Sequence, residues 1–447
     1  PQWEMALAPG QRWSLCTEVA LVLDGDRIEV RHPCGLPVER ALPMQRLTQW
    51  RRNAPVIESD NTALRRSVDR AVEDLGALRI FDPGHPERQV VAAGAPWFMT
   101  LFGRDSLLAS WMALIVDPAL AEGVVETLAG LQGTEEDPET EEQPGRILHE
   151  VRFGRARSMS LGDGHIYYGT ADATPLFVML LGELRRWGIA GDTVARLLPH
   201  VDRALQWIDE YGDRDGDGYV EYERSSPSGL EHQGWKDSWD GVCFADGTPA
   251  EPPIALCEVQ AYTYSAYVAR AHFALEEGEM AEADRWTARA ADLKTAFNRD
   301  FWLEDEGRFA LGLDADKRAI DALASNVGHC LWAGIVDQHR APMVAEALLS
   351  SEMFTGWGVR TLGSSARQRT DRRRADAVRL RRGGASNRPR LARCGQRVRR
   401  PPSRAVRRSP QGRSHVTSRV PHVVLTTGVG GCSAVAVLTH PAPFRPV

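Results

Sequence analysis

Apolar residues fall at helical spacing through most of the chain. The pattern predicts helices over about 61–77, 104–116, 118–132, 172–187, 193–210, 255–277, 279–298, 321–334 and 338–350, several opened by a residue able to cap, such as Asp60, Asp117 or Asp192. These helices arrive in pairs, are long and rather apolar, and leave the chemically distinctive residues in connections at one end. That arrangement suits an (α/α) toroid. Residues 13–48 read instead as short strands. Glu18 to Leu23 and Arg27 to Arg31 flank Asp24-Gly25-Asp26, a hairpin turn signal. A small β-rich segment, residues 1–58, is thus expected ahead of a helical domain over 59–364.

From about Ser365 the pattern stops. Residues 365–420 hold 19 arginines against two acids, Asp371 and Asp376, and every Trp, Tyr and Lys lies before this point. Apart from the short apolar run Val423 to Thr427 there is no period, so residues 365–447 are expected to form a disordered arginine-rich tail. The tail carries +18 and the rest of the chain −24, which together give the net −6. A basic arm that neutralises the phosphates of a nucleic acid has this composition. Out-of-frame translation of GC-rich DNA, yielding Arg, Ala, Pro, Gly and Ser without periodicity, fits better, so nucleic acid is not the expected partner.

At 447 residues and 43% hydrophobic, the chain has material for a substantial core. No run of about 18 uncharged apolar residues occurs, and Pro1-Gln2-Trp3-Glu4 lacks the basic-then-apolar order of a signal peptide, so a cytoplasmic protein without a membrane partner is expected. The seven cysteines are scattered and never spaced CxxC, which suggests neither a disulfide framework nor a zinc site.

The densest chemistry is Gly234-Trp235-Lys236-Asp237-Ser238-Trp239-Asp240, with two carboxylates, a cation and two indoles in seven residues. Cleaving a glycosidic bond needs a protonated carboxyl for the leaving oxygen, a second carboxylate for water or the anomeric carbon, and flat apolar faces for the sugar ring. Asp237 and Asp240 project from one face on a helical turn, or line one pocket in a loop. Crowding and the indoles raise one of their pKa values, while Lys236 acts oppositely. The competing reading is a capped surface helix with a salt-bridged lysine and two core tryptophans. Only three lysines occur, and Lys236 is either a substrate contact or a solvated surface residue.

Several strings in order resemble the bacterial glycogen-debranching, amylo-α-1,6-glucosidase-like family, whose catalytic domain is similar to that of mannosylglycerate hydrolase and the processing α-glucosidases. They are Pro96-Trp97-Phe98, Phe102-Gly103-Arg104-Asp105-Ser106, Gly145-Arg146-Ile147-Leu148-His149-Glu150, Tyr167-Tyr168-Gly169, Asp172 to Phe177, the 234–240 stretch, Glu258 to Tyr262, and Gly356 to Thr361. The resemblance covers roughly residues 13–362. It implies an (α/α)6 barrel after a β-rich domain, and inverting hydrolysis of α-linked glucosides such as glycogen or another α-glucan, with the general acid in the 234–240 stretch, Asp237 the first choice and Asp240 the alternative. It makes Arg104 and Asp105 a pair that holds hydroxyls of the terminal sugar, a planar fork donating and a carboxylate accepting; the alternative is a helix-start salt bridge. Trp97, Trp235 and Trp239 are candidate stacking faces, and Glu150, Asp172, Lys236 and Glu258 candidate substrate contacts, with an N-cap role the rival for Asp172. No cofactor is required.

Asp213-Arg214-Asp215-Gly216-Asp217-Gly218-Tyr219-Val220-Glu221 looks like a calcium loop built on Asp213, Asp215 and Asp217. Arg224 stands where an EF-hand has its bidentate Glu, so the stretch reads equally as a polar turn between helices. The main departure from the family lies past Thr361, where the block supplying the last barrel helices and the general base is replaced by the arginine-rich tail. An incomplete toroid with an acid but no base is therefore expected, and with it impaired turnover. Two readings stand beside the hydrolase: an inactive glucan-binding protein using the same pocket, and a nucleic-acid-associated protein using the tail.

Overall fold

The computed structural model describes residues 37–366, apart from 82–84, 86 and 152–165, together with scattered positions between 8 and 35. The expected tail falls outside them from residue 367 onward, as does most of the expected N-terminal strand region. Within that region Val22 pairs with Arg27 and Leu23 with Asp26, antiparallel, where the hairpin was expected.

Ten α-helices follow among the described residues: α1 Leu42–Asn53, α2 Thr62–Ala77, α3 Gly103–Met112, α4 Pro118–Gly130, α5 Ala173–Arg186, α6 Gly191–Trp207, α7 Cys257–Glu277, α8 Met280–Asp300, α9 Asn326–Ala333 and α10 Ala341–Leu349. None is long and apolar enough to cross a membrane. Helix α1 corrects the strand expectation for residues 42–48. Pro43 sits in its first turn, where a missing N–H costs nothing, and buried Trp50 packs on α2 while donating to the Val72 carbonyl at 2.9 Å. Capping differs in detail too. Asn61, not Asp60, accepts the free N–H groups of α2, and α6 begins after a left-handed Ala190, with Asp192 inside its first turn. Asp117 caps α4 as expected.

Helices α3 to α10 form four hairpins of an incomplete (α/α) toroid. Each odd-numbered helix packs on the even-numbered helix that follows it, and α3, α5, α7 and α9 pack on one another in sequence. The sequence explains which helix goes inside. Helix α7 is buried on nearly every face, from Cys257 and Val259 through Tyr262, Ala266, Ala269 and Phe273, as an inner helix must be. Helix α8 buries one stripe, Ala283, Trp286, Ala290, Leu293 and Phe297, and keeps charge opposite. Small residues let the inner helices close up: a Cβ on Gly182 of α5 would stand 2.6 Å from the Cβ of Ala269 in α7.

The inner helices are chemically polarised along their length. At the C-terminal ends of α3 and α9, Trp111 meets Trp332 with ring centroids 4.4 Å apart, and Tyr262, in the second turn of α7, lies edge-on to Trp332 at 6.1 Å. One layer nearer the N-termini, the Tyr262 hydroxyl is 2.5 Å from Nδ1 of His329. At the N-termini themselves sit Arg104 and Asp105, Asp172, Glu258 and Asn326.

Candidate functional site

The strings singled out in the sequence converge at that polar end. A three-stranded antiparallel sheet pairs Leu101–Phe102 with Glu150–Val151, and the latter with Ile166–Tyr167. It brings the start of α3 beside His149, whose carbonyl accepts from the Gly103 N–H at 2.9 Å. Any side chain at 103 is excluded, because a Cβ would lie 2.1 Å from the Leu148 carbonyl oxygen. The sheet is tied to the 234–240 stretch by buried polar contacts. Ala171 N–H donates to the Gln233 carbonyl at 2.8 Å, and Arg146 donates to the Gln233 side chain at 2.9 Å and to the Thr170 carbonyl. Glu141 accepts from Gln233 at 2.5 Å.

Arg104 is the centre of the site. Its guanidinium is buried and donates to Asp172 at 3.1 Å and to Asp237 at 3.4 Å, with Asp105 at 3.7 Å. Burial works against its charge, but Asp172, Asp105 and Asp237 together hold its pKa above the ordinary arginine value. Asp172 is wholly buried and its side chain makes no cap bond to α5; it accepts from Arg104 and from the Thr170 hydroxyl at 2.6 Å. The rival N-cap reading of Asp172 therefore gives way to a partner role for Arg104.

The other two carboxylates are reachable. The side chains of Asp105 and Asp237 are 39% and 44% exposed, so each faces solvent on one side and Arg104 on the other. The protein atoms packed around the inward side of Asp105 raise its pKa first, with Asp172 and Asp237 adding to the effect against Arg104. Asp240 is buried, and the carboxylate of the pair that reaches Arg104 is that of Asp237. Lys236 donates to the Thr361 carbonyl at 2.6 Å and lies 5.0 Å from the Trp235 ring centroid, joining the 234–240 stretch to the Gly356 to Thr361 string.

Glu258 and Glu150 are both buried. Glu258 accepts from Asn326 Nδ2 at 2.7 Å, and burial above all, with Asp172 nearby, pushes its pKa up to about 7 against the hydrogen bond from Asn326 and the charge of Lys236. His149 is held neutral: burial first, then Arg104 and Arg146, lower its pKa to about 3. Three buried polar atoms beside the site have no hydrogen-bond partner, Trp235 Nε1, Asn326 Oδ1 and His329 Nε2. Trp97 and Trp239 are 67% and 56% exposed, and Trp357 is 88% exposed. Two cavities of about 170 and 270 Å³ lie elsewhere, the first beside Gly133, Pro144 and Arg203, the second beside Ala245, Arg308 and Glu352.

Sequence reasoning passed over Asn326, Gln233 and Glu141, and quoted His149 only as part of a string, without a role. Asn326 was hidden inside an expected helix, 321–334, that begins only at Asn326, because Ala324 instead bridges to Leu362 and the Ser325 N–H donates to Thr361. In the Asp213–Glu221 turn the carboxylate oxygens of Asp213, Asp215 and Asp217 lie within 4.8 Å of one another. The ammonium of Lys317 stands against Asp215 at 2.8 Å and against Asp217 and Glu221 at 2.6 Å.

No family model and no curated protein matches the chain. Among solved structures, it is similar to a sialidase, at 13% identity over 72% of this chain and 26% of that one, TM-score 0.47. It is also similar to a rhamnosidase from Klebsiella oxytoca with rhamnose bound, at 14% identity over 74% and 56%, TM-score 0.46. A neutral trehalase from Saccharomyces cerevisiae gives 13% identity over 65% and 60%, TM-score 0.44. The chain thus spans about a quarter of the sialidase and little more than half of the other two.

Proposed function

We propose that the chain is a glycoside hydrolase of the inverting type acting on α-glucosidic linkages in glycogen or another α-glucan, with Asp237 as general acid. The observation that carries this reading is the grouping of Asp105, Asp172 and Asp237 around the single buried guanidinium of Arg104, with two of the three carboxylates open to solvent. A terminal glucose seated there offers adjacent hydroxyls to Asp105 and Arg104, and its glycosidic oxygen to Asp237. Trp235 Nε1, Asn326 Oδ1 and His329 Nε2 supply further hydrogen-bonding capacity suited to a polyhydroxyl ligand. Inversion also needs a carboxylate that activates water. The family resemblance places that group beyond Thr361, so turnover is expected to be reduced by 10² to 10⁴ or more, roughly, relative to an enzyme with both groups.

Incubation with a branched limit dextrin, with release of glucose followed enzymatically and the anomer identified by NMR, tests the proposal. Slow release of the β-anomer that disappears in Asp237→Asn is expected. Turnover that survives in Asp237→Asn and vanishes in Asp105→Asn would assign the proton to the wrong carboxyl here. A second reading, a glucan binder without turnover, is favoured by the exposed indoles of Trp97, Trp239 and Trp357; it requires glucan affinity that Asp237→Asn leaves intact and Trp239→Ala weakens.

A further inference from the structure

The Asp213–Glu221 turn has the ligand spacing of a calcium loop, with carboxylates at 213, 215, 217 and 221. Its cation position is taken by an ammonium from another connection, the one between α8 and α9. Lys317 Nζ lies 2.8 Å from Asp215, 2.6 Å from Asp217 and 2.6 Å from Glu221. An ammonium has three N–H donors, and here each has a carboxylate. Both oxygens of Asp213 are committed as well, to the N–H groups of Gly216 at 2.8 Å and Gly218 at 3.0 Å. The position an EF-hand gives its bidentate Glu belongs to Arg224, which pairs with Glu231. A divalent ion here would have to share Asp215, Asp217 and Glu221 with a like charge.

We propose that Lys317 is the built-in cation of this loop, which replaces calcium and pins the α6–α7 connection, which carries the 234–240 stretch, to the α8–α9 connection, which leads to Asn326. Glu221 makes the arrangement obligatory. Its side chain is 1% exposed and its Oε2 has no partner, so Lys317 on Oε1 is what compensates the buried carboxylate. The backbone points the same way: Lys317 holds φ at +57°, a left-handed conformation disfavoured for lysine, in a turn closed by its N–H on the Asp314 carbonyl at 2.8 Å. The side chain earns that strain. The proposal is independent of the reaction the protein catalyses.

Thermal unfolding of the full chain, with calcium chloride or EDTA, tests it. Wild-type Tm is expected to be indifferent to both. Lys317→Gly relieves the left-handed strain but removes the ammonium, and is expected to lower Tm by roughly 4–8 °C, with calcium then restoring much of the loss because four carboxylates stand uncompensated. Lys317→Arg, which keeps the charge, is expected to unfold near wild type. A wild-type Tm that rises with calcium or falls in EDTA would overturn the proposal. So would a Lys317→Gly protein that loses stability without gaining a calcium response. If Lys317→Gly does not fold, the wild-type arm decides in the same way.

Discussion

Among the described clusters that gather three carboxylates around one cation, those of Arg104 and Lys317 are built to opposite ends. Around Arg104 the cation is buried and two of its carboxylates, Asp105 and Asp237, face solvent. Around Lys317 the cation is a third exposed and its donors are matched one to one by Asp215, Asp217 and Glu221; in both clusters the most buried member is a carboxylate, Asp172 and Glu221. The first arrangement leaves acceptor lone pairs and reachable oxygens for an incoming molecule; the second uses its donors up in holding two connections together. Counting charges would not separate them. Burial of the cation does, with Arg104 9% exposed and Lys317 33%.

The comparison is tested most severely by Arg104→Met. Three carboxylates would then share one site with no compensating charge, one of them wholly buried, and loss of one partner from a buried ionic cluster costs about 3–5 kcal/mol. Urea denaturation at neutral pH should show a loss of that size, with Arg104→Lys intermediate because a point charge cannot serve two carboxylates in the plane of a guanidinium. A loss under about 1 kcal/mol would mean the cluster is solvated throughout and the contrast with Lys317 is empty.

Glu258 sharpens the same contrast through pH. Its folded pKa is raised to about 7 by burial, while the unfolded chain titrates in the ordinary carboxylate range. The folded state therefore holds the proton more tightly, the stability linked to it is fully present below the unfolded value, and it is lost as pH rises to about 7. Glu258→Gln stays permanently in the neutral form. Its Tm should match wild type near pH 4.5 and exceed it at pH 8, by an amount on the order of a few kcal/mol in stability. The neutral His149, lowered to about 3, acts in the reverse sense, costing stability as pH falls below the unfolded histidine value near 6.5. A wild-type curve identical in slope to that of Glu258→Gln between pH 5 and 7 would show that Glu258 ionises freely.

How much of this was legible along the chain depends on range. The hairpins were readable because the burial stripe of a helix is local, as in Ala283, Trp286, Ala290, Leu293 and Phe297 of α8. The start of α9 was not, since Ala322, Leu323 and Ala324 continue the apolar run yet are drawn out of the helix by pairing with Leu362, a contact no local spacing announces. Arg104 and Asp237 are 133 positions apart, and only the ordered strings brought them into one site. Lys317 carried no local signal at all: its partner Glu221 lies 96 residues upstream, and the loop alone suggested a calcium ion. The reach of an ammonium from a distant turn is invisible until the connections are placed together.

The smallest effect belongs to one edge of the lysine cluster. Asp215 is 45% exposed, and its pKa is lowered chiefly by the hydrogen bond from Lys317, against some burial. Asp215→Asn has one oxygen where the carboxylate has two, so it removes the charge and one of two contacts, Lys317 on Oδ2 at 2.8 Å or the Asp217 N–H, which donates to Oδ1 at 3.2 Å. Exposed ion pairs contribute about 0.2–1 kcal/mol, and a loss within that range is expected at pH 7. Because the folded pKa is depressed, this stability is present above the unfolded value and disappears as acid protonates Asp215, so wild type and Asp215→Asn should converge as pH falls below the ordinary aspartate range. A loss at pH 7 approaching that of Arg104→Met would place Asp215, rather than buried Glu221, at the centre of the Lys317 cluster, and exposure would no longer distinguish a cluster that holds the fold from one that is open to a ligand.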